Sequence, residues 1–401
     1  MKRTVYADNA ATTQLDMDAF EAMRPYLLSE YGNASQSYSF SRASRKALKD
    51  ARSIIATCIG ADPDEIFFTS GGTESDNWAI KGTMTYGDHR CVVTSAFEHH
   101  AILHACSYIE RHGYPVAYVY PTCNGIVSPS NLSAIISTET KLVSVMMANN
   151  ELGTIQPIRD LCQIAHEHGA LFHTDAVQAI GHIPVDVHAL GVDLLSASAH
   201  KFNGPKGVGF LYIRKGVKIE SLLDGGAQES HNRAGTENVA GIVGMATALK
   251  ANCSAMEQSC KHLAMLEKRL LNNLDRNSIL YKRNGREVSL SHVRVFALPV
   301  ANWYLQLELS LSSFRRIVAY PLHGSSYRNV PVGLDIQFSR ISEKVFSVLK
   351  NPLTDSEFQR GQNQRSGNIF LKKCKKISRP PFRRPAYMVR TIYSALGECE
   401  L

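Results

Sequence analysis

"DLLSASAHKFNGPKGVGFLYIRKG", residues 193–216, sets two apolar runs on either side of a polar bend. Short apolar runs bounded by turn residues read as strands buried on both faces. "DLLSAS" and "GVGFLYI" are two such strands, and the bend between them turns through Gly204, Pro205 and Gly207. The same signal recurs along the chain in "EIFFTSGG" (65–72), "CVVTSAFEH" (91–99), "VAYVYP" (116–121), "KLVSVMMANN" (141–150) and "ALFHTDAVQ" (170–178).

Helical patterns separate these runs. "TESDNWAIKGTM" (73–84), "AILHACSYIERHG" (101–113), "PSNLSAIIS" (129–137), "IRDLCQIAHEHG" (158–169) and residues 241–274 recur with helical spacing. Ahead of them, "MDAFEAMRPYLLSEYG" (17–32) and "SRASRKALKDARSIIATCIG" (41–60) predict helices that each end at a glycine. Strands alternating with helices predict an α/β fold with a mostly parallel sheet covered on both faces.

The chain has 401 residues, enough for two domains. At 44% hydrophobic and 20% charged it has the composition of an ordinary soluble protein, and no long apolar run predicts a membrane span. The start, "MKRTVYADNAATT", has no apolar stretch behind its basic residues, so no signal peptide is expected. Nine scattered cysteines without a Cys-x-x-Cys pair fit reduced thiols in a cytoplasmic protein, with no disulfide framework and no metal site expected. Charge is uneven: residues 281–401 carry +12 and residues 1–280 carry −4.

Ligands of open α/β sheets bind beyond the carboxyl ends of the strands, and there the polar motifs cluster. "AHK" places Lys201 after one strand, where its amine could form a Schiff base with an aldehyde cofactor. Ser198 and His200 beside it could hold that cofactor's phosphate; the plainer reading is a surface lysine at a loop edge. In "TSGGTESDN", Gly71 and Gly72 let backbone approach an anion at a helix start, with Thr73 adding a hydroxyl. The alternative there is an ordinary helix with Thr73 as cap and Asp76 as its N3 acid.

"HTDAVQ" puts Asp175 where a carboxylate could keep a pyridine nitrogen protonated, or else cap a helix. His99 in "EHH" could stack on an aromatic ring and shuttle protons. Asn150 and Gln178 are uncharged groups suited to a ring oxygen, and Arg233 and Thr236 in "SHNRAGTEN" could meet an anion.

These motifs, with "YADNAATT", "NNELGTIQP" and "GGAQESHNRAGTEN", resemble the cysteine desulfurases of the NifS/IscS type, class-V aminotransferases, in order and spacing over roughly residues 4–275. The resemblance implies the aspartate-aminotransferase-like fold (fold type I of pyridoxal-phosphate enzymes). Its large α/β domain would span 15–262, and a smaller α+β domain would take 1–14 plus 263–401. It implies pyridoxal 5'-phosphate bound to Lys201, with Asp175 at the ring nitrogen, His99 stacking and moving protons, and Asn150 and Gln178 at the ring oxygen. Gly72, Thr73, Ser198 and His200 would hold the phosphate, joined by Thr236 from the second subunit of a homodimer. The reaction implied turns L-cysteine into L-alanine, with a persulfide that serves iron–sulfur or thio-cofactor assembly through a scaffold or sulfur-acceptor protein. Neither membrane nor nucleic acid is an expected partner.

The resemblance stops near residue 287. The family's Ser-Gly-Ser-Ala-Cys-like loop, whose thiolate takes the sulfur, has no counterpart, and beyond Cys260 the chain has only Cys374 and Cys399. Cys374 lies in the basic run "FLKKCKKIS", which reads as a solvated face, and Arg390 is a weak match for the substrate-carboxylate arginine. Residues 287–401 give no clean helix–strand alternation and fit a shifted reading frame, a fused segment or a divergent, poorly ordered domain. Two alternatives therefore stand beside the desulfurase: an impaired or inactive homologue, and another fold-type I lyase or aminotransferase.

Overall fold

The structure, a computed structural model, describes residues 8–84 and 90–278, together with the backbone of strands lying between residues 282 and 321. The seven strands expected from the sequence all form: β1 (Ile66–Thr69), β2 (Cys91–Ser95), β3 (Val116–Val119), β4 (Thr140–Ser144), β5 (Leu171–Asp175), β6 (Leu194–Ser198) and β7 (Gly209–Ile213). They make one sheet in the order β1-β7-β6-β5-β4-β2-β3. Pairing is parallel from β6 to β3, and β7 runs antiparallel to both its neighbours. The order reverses between β2 and β4, so the carboxyl ends of β2, β4, β5 and β6 border the crevice where such sheets bind ligands.

The strands read as unbroken apolar runs because successive residues enter opposite layers, both of them dry. Val92, Leu142, Leu194 and Leu211 pack with Trp78 and Ile80 of α3 (Gly72–Thr83) and Ile102 and Ile109 of α4 (His100–Arg111). Their chain neighbours Val93, Val143, Leu195 and Phe210 face the other layer. That layer holds α2 (Arg42–Ile59), α6 (Ile158–Glu167) and α8 (Val239–Arg276). Between these lie the short α5 (Pro129–Ser133) and α7 (Val187–Leu190).

α8 is long and apolar enough by composition to cross a membrane, but Ile242, Met245 and Leu249 on it are core residues against α1 (Met17–Leu28) and α2. It runs unbroken across residues 262 and 263, where the sequence placed a domain boundary.

α2 ends at Gly60 as expected, in the left-handed conformation. α1 does not reach Gly32: it stops at Leu28, with Ser29 donating its backbone N–H to Pro25 O at 2.9 Å. The chain then packs on itself, and a Cβ on Gly32 would lie 2.5 Å from Phe40 O. Gly32 therefore serves a close approach and not a helix end.

Past α8 the described backbone forms β8 (Lys282–Arg283), β9 (Arg294–Val300), β10 (Trp303–Ser310) and β11 (Ser313–Pro321), an antiparallel meander in the order β11-β10-β9-β8, of which β9 to β11 lie in the stretch that departs from the family pattern. Cys374, Arg390 and Cys399 lie outside the described residues.

Candidate active site

β5 ends in Asp175 and β6 in Ser198, both 4% exposed, and Asp175 pairs with Ser196 across the two strands. Directly after Ser198 a single 3-10 turn, Ala199–Lys201, presents the lysine. Lys201 Nζ donates to Ala10 O at 2.5 Å and to Ala11 O at 3.1 Å. Burial pushes its amine from 10.5 down to about 8, against the charge of Asp175, which raises it. Such an amine is far richer in the neutral, nucleophilic form than a surface lysine.

Residues 8–14 cross over this turn. Ala10 O also accepts from Gln178 Nε2 at 3.0 Å, so Lys201 and Gln178 meet at one carbonyl. Thr12 Oγ1 and His200 Nδ1 lie 3.1 Å apart, and Thr13 binds His200 O through both its N–H and its hydroxyl at 2.9 Å. His200 is pushed down to about 4 by burial and by Lys201 and Lys206, so it is uncharged at neutral pH. The sequence singled this segment out only within the family likeness. Its contacts are mostly backbone carbonyls, which no side-chain pattern reports.

β1 leads into α3 through Gly71, whose φ of +144° favours glycine. A Cβ on Gly72 would lie 2.6 Å from Val177 Cγ2, so the helix start sits tight against the β5–β6 side. The expected capping does not occur. The cap residue is Gly71 with no side-chain bond, Thr73 is exposed, and Asp76 is buried in the protein at 1% exposure. Glu74 takes the orphan donor instead, accepting from Ser70 N at 2.7 Å. Glu74 also clamps Arg233 through two bonds of 2.8 and 3.1 Å, so Arg233 is an ion-pair partner and no free anion ligand.

His99 caps α4, its Nδ1 accepting from Ala101 N at 3.2 Å. Its ring is exposed at the outer edge, yet desolvation, opposed by Asp175, holds it below the usual histidine range. One polar atom each of His99, Asp175 and Asp76 lie within 4.8 Å of one another. Asp175 starts no helix; its Oδ1 accepts from Val177 N at 2.9 Å in a turn.

Asn150 lies half-buried in the turn after β4. Its neighbour Asn149 is structural: the side chain accepts from Glu151 N at 3.0 Å and Leu152 N at 2.7 Å and donates to Phe97 O at 3.1 Å. Thr236 is exposed on the loop before α8. Gly72, Ser198, Lys201, Asp175, Gln178, His99 and His200 thus converge.

A buried polar layer beneath these groups escaped the sequence reading. His173 on β5 is held between Ser144 Oγ and Ser196 Oγ, 2.9 Å from each, and burial pushes it down to about 3. Glu98 accepts from Ser95 Oγ and, at 2.9 Å, from Met146 N; burial lifts its carboxyl from 4.5 to about 8. Between those values the folded protein holds a proton that the unfolded chain has released, so this group makes stability fall as pH rises across that window. Glu98→Gln keeps an oxygen to accept both bonds. It is expected to remove about 2–4 kcal/mol of that fall, measured by urea unfolding at about pH 5 and pH 8; parallel pH profiles would refute the assignment.

The seven described cysteines are free thiols, and none lies among these site residues. Cys58 and Cys253 line one surface groove and Cys162 another, and neither groove contains a candidate residue.

The family model for class-V aminotransferases matches residues 5–306. The cysteine desulfurase IscS of Dictyoglomus turgidum is 52% identical over 270 residues, covering 66% of this chain and 68% of that protein. A solved NifS-like protein superposes with a TM-score of 0.72 at 38% identity, covering 75% of this chain and 83% of its own. A structure described as SspA in complex with cysteine gives 0.66 at 33% identity, covering 74% and 84%.

Proposed function

The chain belongs to the class-V aminotransferase family and is similar to its cysteine desulfurases, and from that premise we propose how its own residues carry the desulfuration of L-cysteine. It has the fold-type I architecture, and the enzyme class is pyridoxal-phosphate-dependent cysteine desulfurase. The observation that carries the residue assignment is the meeting of a depressed lysine amine and a buried carboxylate at adjacent strand ends, beside a glycine-turned helix start.

Those residues fit pyridoxal 5'-phosphate by their chemistry. Lys201 is a nucleophilic amine suited to an aldehyde, and Asp175 is a carboxylate buried without a lysine or arginine ion pair among the described residues, as a pyridinium partner must be. Gly72 N–H at the α3 start, with Thr73, Ser198 and His200, would hold the phosphate. Asn150 and Gln178 would face the ring oxygen, and Thr236 would complete the phosphate site from the second subunit of a homodimer. When bound, the cofactor supplies an electron sink for charge developing on the substrate's α-carbon.

Lys201 must give up its bonds to the Ala10 and Ala11 carbonyls to hold the cofactor. His99, kept neutral, can accept a proton near the substrate and return it. The sulfur leaves L-cysteine for a thiolate, L-alanine remains, and the persulfide serves iron–sulfur or thio-cofactor assembly through an acceptor protein in the cytoplasm.

The test is L-alanine release from L-cysteine with and without an added thiol reductant. With no loop cysteine in the family's position, an oriented thiolate of effective molarity about 10⁵ M or more is missing. Alanine release is therefore expected to rise with added thiol and to be unchanged in Cys374→Ala. Persulfide on Cys374, lost with that substitution, would make the C-terminal region part of the site. No alanine above a protein-free control, with cofactor saturating, would refute the desulfurase reading.

A further inference from the structure

Asp175 has a second carboxylate beside it that the chemistry described so far leaves unused. Asp76 lies on α3 at 1% exposure, and its Oδ1 has no hydrogen-bond partner among the described residues. A polar atom of Asp76 lies within 4.8 Å of one on Asp175 and one on His99. A buried carboxylate oxygen with no partner calls for an explanation.

Among the described residues no lysine or arginine forms an ion pair with Asp76. His173 Nε2 is 3.8 Å from Asp76 Oδ1, but that ring is uncharged and both its nitrogens face serine hydroxyls. On the β2 side Glu98 is itself a neutral acid near pH 7. Burial raises Asp175 as well, but the Val177 N–H that donates to it and the charge of Lys201 act the other way. Asp76 is pushed well above the carboxylate range by burial and by Asp175, and only the Ser196 hydroxyl opposes this strongly placed shift. Two carboxylates this close in a dry interior titrate as a pair and cannot both ionise at low cost.

We propose that Asp76 is a positioning acid: it carries the one proton of an Asp76–Asp175 pair and so leaves Asp175 as the single charge offered to the cofactor's ring nitrogen. The second half of this rests on the cofactor reading given above; the first half does not. A neutral acid at Asp76 accounts for the partnerless oxygen, since an uncharged carboxyl tolerates burial far better than an ionised one.

Infrared spectroscopy of the full chain, with aspartate carbonyls labelled with carbon-13, reads the proton directly. Near neutral pH the labelled protein should show a protonated aspartic C=O band that shifts in D₂O; the label leaves the neutral Glu98 out of view. The band should vanish in Asp76→Asn and survive in Asp175→Asn. If Asp76→Asn does not fold, survival of the band in Asp175→Asn still supports the assignment. Absence of any protonated aspartate, or a band lost in Asp175→Asn and kept in Asp76→Asn, would overturn it. The spectrum is taken before and after adding pyridoxal phosphate. A protein that shows the band but takes up no cofactor would keep the proton on Asp76 while defeating the cofactor reading and the role toward the ring.

Discussion

Lys201→Ala is expected to abolish the covalent hold on pyridoxal phosphate and, with it, the visible absorbance that a lysine-bound cofactor gives. The amine is the only group in the cluster able to make that bond, because His99, His200 and Gln178 offer no primary amine. Turnover should fall by a factor of about 10³ or more, as when a reacting group that acts in a unit is removed. Folding should be spared. The Lys201 amine donates to two backbone carbonyls, of Ala10 and Ala11, and the buried Asp175 that loses this neighbouring charge can take up a proton instead. Residual cofactor held by the phosphate-side residues should wash out on dialysis. A variant that keeps the wild-type absorbance through dialysis would place the covalent link elsewhere.

Asp175→Ala should cost nearly as much by a different route. The carboxylate is buried at 4% exposure at the end of β5, where a fixed charge acts through little solvent. Taking away one preorganised electrostatic group of this kind lowers turnover by about 10²–10³. The covalent link through Lys201 should survive, which separates the two variants: Asp175→Ala should remain coloured yet slow, and Lys201→Ala colourless. The Lys201 amine should also move. Asp175 raises its pKa, so the substitution should drive it below about 8 and make borohydride trapping more efficient at lower pH. Loss of colour in Asp175→Ala with unchanged secondary structure would contradict this division of labour.

The sequence made the strands and their ends legible because each strand is a short apolar run closed by a polar motif, as in "LFHTD" and "LLSASAHK". Asp175, Lys201, Ser198 and His99 could be singled out as candidates for that reason, since each lies at or just beyond the end of a buried strand. Asp76, Glu98 and His173 could not. Asp76 and His173 sit inside buried elements and Glu98 in the turn after β2, where one polar residue among apolar neighbours looks the same whether it points to solvent or to another carboxylate. Asp76 even fitted a helix-start pattern, and only the glycine cap of α3 and the Glu74–Arg233 pair show that the pattern was met by other residues.

The crossing of residues 8–14 was equally hidden, since Ala10 acts through its carbonyl and Thr13 partly through its backbone N–H. Arg233 was misjudged because the reading had no way to see Glu74, 159 positions away in sequence, as its partner. The end of α1 failed for a local reason: a glycine after a helical pattern marks a helix end only when nothing else needs the missing Cβ, and Phe40 needs it at Gly32.

Borohydride reduction of the full-length protein mixed with the cofactor, followed by peptide mass mapping, reads whether this chain holds pyridoxal phosphate on Lys201. One reduced phosphopyridoxyl adduct per chain is expected, on the peptide containing Lys201, formed at stoichiometric cofactor near pH 8, where the amine is half neutral. No adduct, or one spread over surface lysines with Lys201 unmodified, would contradict it.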